Sequence, residues 1–309
     1  MFPCILVSNW NYFRRCNKCG CRSYGAVINR ANTIFVARAD TGNVMFWKNG
    51  STTTRSTIAT GVSSPLAMFV TDNEKIFLVN NCPKNRVEYW DINGTLQAAV
   101  LTSGSSCSGL FIDIYNDLYC SEYQYHQVVK KPLMDPSNQI TIVAGTGCSS
   151  SSDDGLDDPM GIFVDKSRNL YVADSANNRI QRFSYGQTIG VTVAGNGFGS
   201  ISLSSPVAVM LDADGFLFIL EYGTNQLLGS NANGFRCVAG CNGDLYRPWT
   251  FGFDSLGNIF VLDRGNNRTQ KYTIQNNTCG KYNIFICSFT ILCFRYNNTI
   301  YHGCDKSNR

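Results

Sequence analysis

Three observations predict an all-β fold, a six-bladed β-propeller of four-stranded antiparallel blades. The stretch from Pro159 to Gly195 holds four short apolar runs, GIFVD, LYVAD, RIQRF and VTVAG, with polar turns at 166–169, 175–178 and 184–187. Short runs rich in Val, Ile, Phe and Tyr, bounded by Gly, Asn, Asp and Ser, read as strands. The same stretch recurs six times along the chain. One four-stranded meander cannot bury both its faces, so the copies must stack, and a period of about 45 residues with four strands per copy is that of a propeller blade.

The elements follow in order. Aligned on the polar residue that ends each first strand, the copies fall at Asn29, Asp72, Asp113, Asp165, Asp212 and Asp254, spaced by 43, 41, 52, 47 and 42 residues. Second strands follow at IFVAR, IFLVN, LYCSE, LYVAD, LFILE and IFVLD, and third strands at NVMFW, RVEYW, QVVKK, RIQRF, QLLGS and RTQKY. Pro65, Pro159, Pro206 and Pro248 each precede an anchor by six or seven residues, and VAG ends a fourth strand at Gly145, Gly195 and Gly240. The propeller is expected over 25–281, with an N-terminal tail over 1–24 and a C-terminal tail over 282–309. Blade six lacks a visible fourth strand. Either Pro3–Ser8 or Ile284–Phe294 could supply it and remove an exposed edge.

GIFVDKSRNLYVADSANNRIQRF resembles the NHL repeat of six-bladed β-propellers, and GFDSLGNIFVLDRGNNRTQKY repeats the pattern. The resemblance covers roughly Gly25 to Tyr272. Copies one, two, three and five depart from it, with Arg38 in place of the Asp and His126-Gln127 in place of Asn-Arg. The resemblance implies architecture more than activity, because members of the family range from lyases to RNA-binding and sensor domains.

Net charge is +4 at pH 7, and charged residues make up 16% of the chain. So mild a balance without a basic run argues against a nucleic-acid partner. No apolar stretch reaches the 18 residues of a spanning helix. Fourteen cysteines point to an oxidising, extracellular setting. Cys107 and Cys120 flank a hairpin turn and Cys237 and Cys241 bracket VAG, so both pairs are expected to be disulfides. Cys82 and Cys148 receive no partner. Cys4, Cys16, Cys19 and Cys21 lack the second C-x2-C of a zinc site, so disulfides or an unstructured tail are expected there.

The acids ending the second strands, Glu122, Asp174, Glu221 and Asp263, recur once per blade before a turn. They are expected to bond that turn, with Arg179 and Arg268 as partners in the two best copies. A metal-dependent lyase relative would need several axial histidines, and the chain has only His126 and His302. No catalytic residue, metal site or cofactor is assigned. Asp153, Asp154, Asp157 and Asp158 are the acids to test for a cation.

Loops between second and third strands converge on one face of a propeller. The binding residues expected there are Tyr123, Tyr125, His126, Tyr222 and Arg264. The reading is a non-catalytic, monomeric interaction module for a protein or glycan ligand. A metal-dependent lyase or lactonase on the channel and an RNA-binding propeller are the alternatives.

Overall fold

The computed structural model describes residues 25–273, apart from 40, 49–55, 82–83, 103–104, 136–138 and 199–200, and the strand Ser288–Thr290. Blade one comprises β1 (Ala26–Ile28), β2 (Ile34–Ala37), β3 (Asn43–Trp47) and β4 (Ser56–Ala59). Blade two comprises β5 (Met68–Val70), β6 (Ile76–Asn80), β7 (Arg86–Trp90) and β8 (Leu96–Thr102). Blade three comprises β9 (Cys107–Ile112), β10 (Asp117–Glu122), β11 (Gln127–Pro132) and β12 (Thr141–Gly145). Blade four comprises β13 (Pro159–Val164), β14 (Leu170–Asp174), β15 (Arg179–Phe183) and β16 (Gly190–Gly195). Blade five comprises β17 (Pro206–Leu211), β18 (Leu217–Glu221), β19 (Gln226–Asn231) and β20 (Gly234–Ala239). Blade six comprises β21 (Thr250–Phe253), β22 (Ile259–Asp263), β23 (Arg268–Thr273) and β24 (Ser288–Thr290).

Each blade is a sequential antiparallel sheet. The first strands pack against one another around the axis, β1 on β5, β5 on β9, β9 on β13, β13 on β17, β17 on β21 and β21 on β1, so the ring closes. The second strands are the most apolar, and β2, β6, β10, β18 and β22 are buried along their whole length. Buried on both faces, such strands read as continuous apolar runs rather than alternating ones. In blade six, β24 pairs antiparallel with β23, so the outer strand lies within the 284–294 stretch. Residues 1–24, and with them Pro3–Ser8 and Cys4, Cys16, Cys19 and Cys21, lie outside the described residues.

One alignment in the sequence is corrected. The turn after each first strand is closed by a side chain accepting the backbone N–H four residues on. Asn29 takes that of Thr33 at 2.9 Å, Asp113 that of Asp117 at 2.9 Å, and Asp165, Asp212 and Asp254 those of Asn169, Phe216 and Asn258 at 2.8 Å. In blade two Thr71, not Asp72, does this, its hydroxyl oxygen accepting from Lys75 at 3.0 Å. Asp72 points outward and pairs with Arg30 at 3.3 Å. With Thr71 as anchor, Pro65 precedes it by six residues, as Pro159, Pro206 and Pro248 precede theirs. A short hydroxyl performs the carboxylate's task in an Asx-type turn, which is why the acid-based alignment slipped by one.

Small residues line the closest approach between first strands. A Cβ on Gly109 would lie 2.5 Å from the Met160 carbonyl oxygen, and one on Gly161 would lie 2.6 Å from that of Val207. Two residues before each anchor stand Val27, Phe69, Phe111, Phe163, Met210 and Gly252, which ring the axis. Phe69, Phe111 and Phe163 meet edge to face at 5.3 Å each.

Candidate functional site

The ring presents two faces and a central cavity. One face carries the loops from second to third strands and from fourth strands to the next blade. The other carries the first-to-second and third-to-fourth loops. The cavity has a volume of about 1100 Å³ and is lined chiefly by first strands. Its walls are apolar, including Met68, Phe69, Phe111, Phe163 and Phe251, while Arg30, Lys75, Lys166, Asp165 and Asp212 stand at the first-to-second-loop rim. Towards the other face Trp249 is buried and donates its indole N–H to the Leu66 carbonyl at 3.3 Å, tying blade six to the entry of blade two.

The second-strand acids are built into a repeated junction. Asp174 accepts the Asp157 backbone N–H at 2.7 Å, the Asn177 amide at 2.9 Å and the Arg179 Nε at 2.7 Å. Arg179 also donates to the carbonyls of Ser151, Ser152 and Gly155, so it ties the 146–158 loop to its blade. Asp263 repeats the arrangement with the Tyr246 backbone N–H, Asn266, Gln270 and Arg268, and Arg268 reaches the Asp244 carbonyl at 2.6 Å. Glu221 accepts from the Ser204 backbone N–H at 2.6 Å and from Thr224 at 2.8 Å, with no arginine beside it on the third strand. Glu122 accepts from Gln127 at 2.6 Å. In blade two Asn80 fills the position and the charge moves to Glu88, which takes Asn80 and Arg86. Burial pushes the Asp174 and Glu221 carboxyls above their ordinary values even against these donors.

A second contact at the same junctions uses the residue before each third strand, the Asn of the Asn-Arg pattern, and its partner in the next blade is visible only in the fold. The residue before each third strand is left-handed, at Asn85, His126, Asn178, Asn225 and Asn267, as is the residue before each first-strand proline, at Ser64, Asp158, Ser205 and Arg247. The left-handed side chain of one blade accepts the backbone N–H of the pre-proline residue of the next. Asn178 takes Ser205 at 2.8 Å, Asn225 takes Arg247 at 2.7 Å, and His126 takes Asp158 through Nδ1 at 3.1 Å. The glycine of VAG lies beneath this turn. A Cβ on Gly145, Gly195 or Gly240 would lie within 2.3 Å of the carbonyl oxygen of His126, Asn178 or Asn225.

The residues expected to bind are on one face, in loops of blades three, five and six, and their side chains differ in exposure. Tyr125 is 43% exposed. Tyr123 and Tyr222 are half-buried against core side chains. The Arg264 guanidinium stacks 4.7 Å over the Trp249 ring. Sequence reasoning missed Phe198 and Tyr246, both exposed on this same face, and Arg247, which lies 5.2 Å over the Tyr246 ring. They sit in fourth-to-first-strand loops, which carry no repeat pattern to mark them.

His126 has neighbours that the sequence separates by some thirty residues. Its Nδ1 lies 3.1 Å from an Asp157 carboxylate oxygen and 3.9 Å from one of Asp158, the three side chains being mostly buried. Their ligand-type atoms form a cluster that could hold a metal ion, the only such group among the described residues. Burial and the adjacent Asp157 charge push the Asp158 carboxyl up to about 6. Burial also works against the Asp157 carboxylate, but hydrogen bonds from His126 and Ser149 hold it below its ordinary value. Asp153 and Asp154 are exposed and stand apart from this cluster.

The disulfides Cys107–Cys120 and Cys237–Cys241 are formed, with Cα atoms 5.3 and 5.8 Å apart. Cys148 is also disulfide-bonded, and Cys82 lies outside the described residues. These bonds weakly suggest an oxidising environment. No helix among the described residues is long and apolar enough to cross a membrane.

Comparison with known proteins gives one repeat and a fold. The family model described as the NHL repeat matches residues 156–183. No curated protein sequence matches the chain. Among solved structures, a catalytically inactive virginiamycin B lyase from Staphylococcus aureus, determined with quinupristin, is similar at 14% identity and a TM-score of 0.58, over 85% of this chain and 84% of that one. A structure of a nidogen–laminin complex is similar at 16% identity and a TM-score of 0.55, over 67% of this chain and 74% of that one. A structural-genomics protein of unknown function from Bacteroides thetaiotaomicron is similar at 13% identity and a TM-score of 0.63, over 81% of this chain and 69% of that one. Likeness at such identities carries the fold alone. The chain is thus a closed ring of six four-stranded antiparallel blades whose fourth blade carries a matched NHL repeat.

Proposed function

We propose that this propeller is a non-catalytic interaction module that binds a protein or glycan through the face of its second-to-third and fourth-to-first loops. One contrast supports the reading. The second-strand acids of that face are bonded to backbone amides or local side chains, whereas Tyr125, Phe198 and Tyr246 stay exposed beside Arg247 and Arg264. Aromatic rings and arginine are the residues that dominate binding energy at interfaces. Tyr123, Tyr222 and His126 supply the half-buried base beneath them. An extracellular setting accords with the disulfides.

Metal-dependent lyase or lactonase chemistry on the axis is the second reading, and the lyase neighbours favour it. Against it stand the apolar walls of the cavity and the engagement of Asp113, Asp165, Asp212 and Asp254 in turn amides. RNA binding has no comparable support, given the mild net charge.

The test is to screen the non-reduced protein against an immobilised glycan panel and a displayed random-peptide library, beside a Tyr125→Ala/Tyr246→Ala variant. A ligand enriched on the wild type and weakened about tenfold or more by the double variant is expected. Equal binding by both proteins moves the site off this face. Enrichment from neither source would sink the interaction-module reading.

A further inference from the structure

The six blades provide an internal comparison at the junction where one blade's turn meets the next blade's first strand. The two residues before the first strand, or before the proline that leads into it, are Ser63-Ser64, Ser105-Ser106, Asp157-Asp158, Ser204-Ser205 and Tyr246-Arg247. The left-handed residue facing them is Asn85 in blade two, Asn178 in blade four and Asn225 in blade five, but His126 in blade three. Where the other junctions set Ser-Ser, or Tyr246-Arg247, against a neutral partner, the junction of blades three and four sets two carboxylates against an imidazole.

Those three groups compete for one nitrogen: Asp157 also takes Ser149, but Nδ1 faces both the Asp158 amide and the Asp157 carboxylate. His126 Nδ1 accepts the Asp158 backbone N–H, as Asn178 and Asn225 accept theirs, and so carries a lone pair there. The same Nδ1 lies 3.1 Å from the Asp157 carboxylate, which offers only electron pairs. Protonating Nδ1 would give Asp157 its donor and turn an N–H against the Asp158 amide. Either way Nδ1 serves only one partner well, and Asp158, 3.9 Å away, shares the same imidazole with Asp157. A cation shared by all three groups resolves the mismatch. Donor atoms at about 2.0–2.2 Å from a zinc-type ion stand about 3.0–3.5 Å apart; His126 and Asp157 already lie at 3.1 Å, and Asp158, at 3.9 Å from Nδ1, has to close in by a few tenths of an ångström.

From this geometry we infer that His126, Asp157 and Asp158 form a binding site for a first-row divalent cation of the zinc class, at the junction of blades three and four. An imidazole with two carboxylates suits zinc better than calcium, which prefers oxygen ligands throughout. The ion takes the Nδ1 lone pair from the Asp158 amide, whose hydrogen bond is the longest of the three. It joins the 146–158 loop to the blade-three turn through ligands from both. The site lies off the axis and shares His126 with the base of the ligand face proposed above, but cobalt uptake reads it without any ligand of that face.

The test uses the full, non-reduced chain, stripped with a chelator and titrated with cobalt(II) near neutral pH. Two variants install the residues of neighbouring junctions, so each has a precedent within the same fold: His126→Asn and Asp157→Ser/Asp158→Ser. The wild type is expected to take up one cobalt per chain with weak visible d–d bands and a raised melting temperature. Zinc should displace the cobalt, and both variants should lose the bands and the shift while keeping their metal-free melting transition. Intense thiolate charge-transfer bands, or uptake unchanged in both variants, would assign the metal to cysteines or elsewhere. No uptake by the wild type would leave the cluster as an ion pair. Each of these outcomes overturns the proposal.

Discussion

Arg179 and Arg268 occupy the same place in two blades, yet their sequence neighbourhoods say little about what they hold. The Arg179 side chain is 4% exposed and Asp174 fully buried, so the pair lies in a medium that water does not screen. Asp174→Asn keeps the shape and removes the charge. It should destabilise by about 3–5 kcal/mol, since it leaves a buried guanidinium without its carboxylate, and urea unfolding measures this directly. Glu221 presents the opposite case, because no arginine faces it on β19. Its carboxyl is raised by burial, so its contribution to stability is present at low pH and lost as pH rises through the folded value. Glu221→Gln should therefore be more stable than the wild type at neutral pH, with the gap closing on acidification. A pH series of thermal melts checks the sign. The recurrence of these acids was legible because it follows the repeat. Thr71 was not, because a hydroxyl and a carboxylate make the same turn from different letters. Nor was the meeting of His126 with Asp157 and Asp158, which depends on how adjacent blades stack.

At the scale of the element, the second strands announced themselves as unbroken apolar runs because each is buried on both sides. First strands are shaped by their neighbours across the blade interface. Gly109 and Gly161 are there because the next blade's backbone leaves no room for a methyl group. Gly109→Ala should force β9 away from β13 and cost about 1–3 kcal/mol, which equilibrium denaturation would detect. A Cβ on Gly252, on the opposite side of the axis, would meet only Ile28, at 3.8–3.9 Å, an ordinary contact, so crowding does not require the glycine there. The letter is identical and the neighbour decides its meaning. The disulfide Cys107–Cys120 is an element-scale feature that a hairpin makes readable, because it joins adjacent strands about one turn.

For the whole molecule, closure is the central problem of a ring. Blade six is completed by β24, supplied from beyond the end of the repeat pattern rather than by a first-blade element. The seam between the last and first blades is held by Asn32, which accepts the Ser255 backbone N–H at 2.7 Å and donates to its hydroxyl at 2.8 Å. Ile34, Val36, Trp47 and Phe260 form the apolar cluster there. Ending the chain at Thr273 would expose the β23 edge. Such a truncation should lower the melting temperature and self-associate, because an unpaired strand edge is a template for another chain. Light scattering during size-exclusion chromatography tests this, and a monomeric product melting like the full chain would place closure in the seam alone.

The sequence by itself determined the blade number, the four-stranded unit, the second-strand acids and the two assigned disulfides. Each of these recurs at a fixed period or lies within one hairpin, so local chain geometry is enough to find it. Tertiary structure alone decided the anchor in blade two, the apolar cavity lined in part by Trp249, the exposure of Tyr125, Phe198 and Tyr246 on one face, and the junction that gathers His126, Asp157 and Asp158. These depend on contacts between blades, where residues far apart in sequence meet because side chains pack, and no period along the chain records such a meeting.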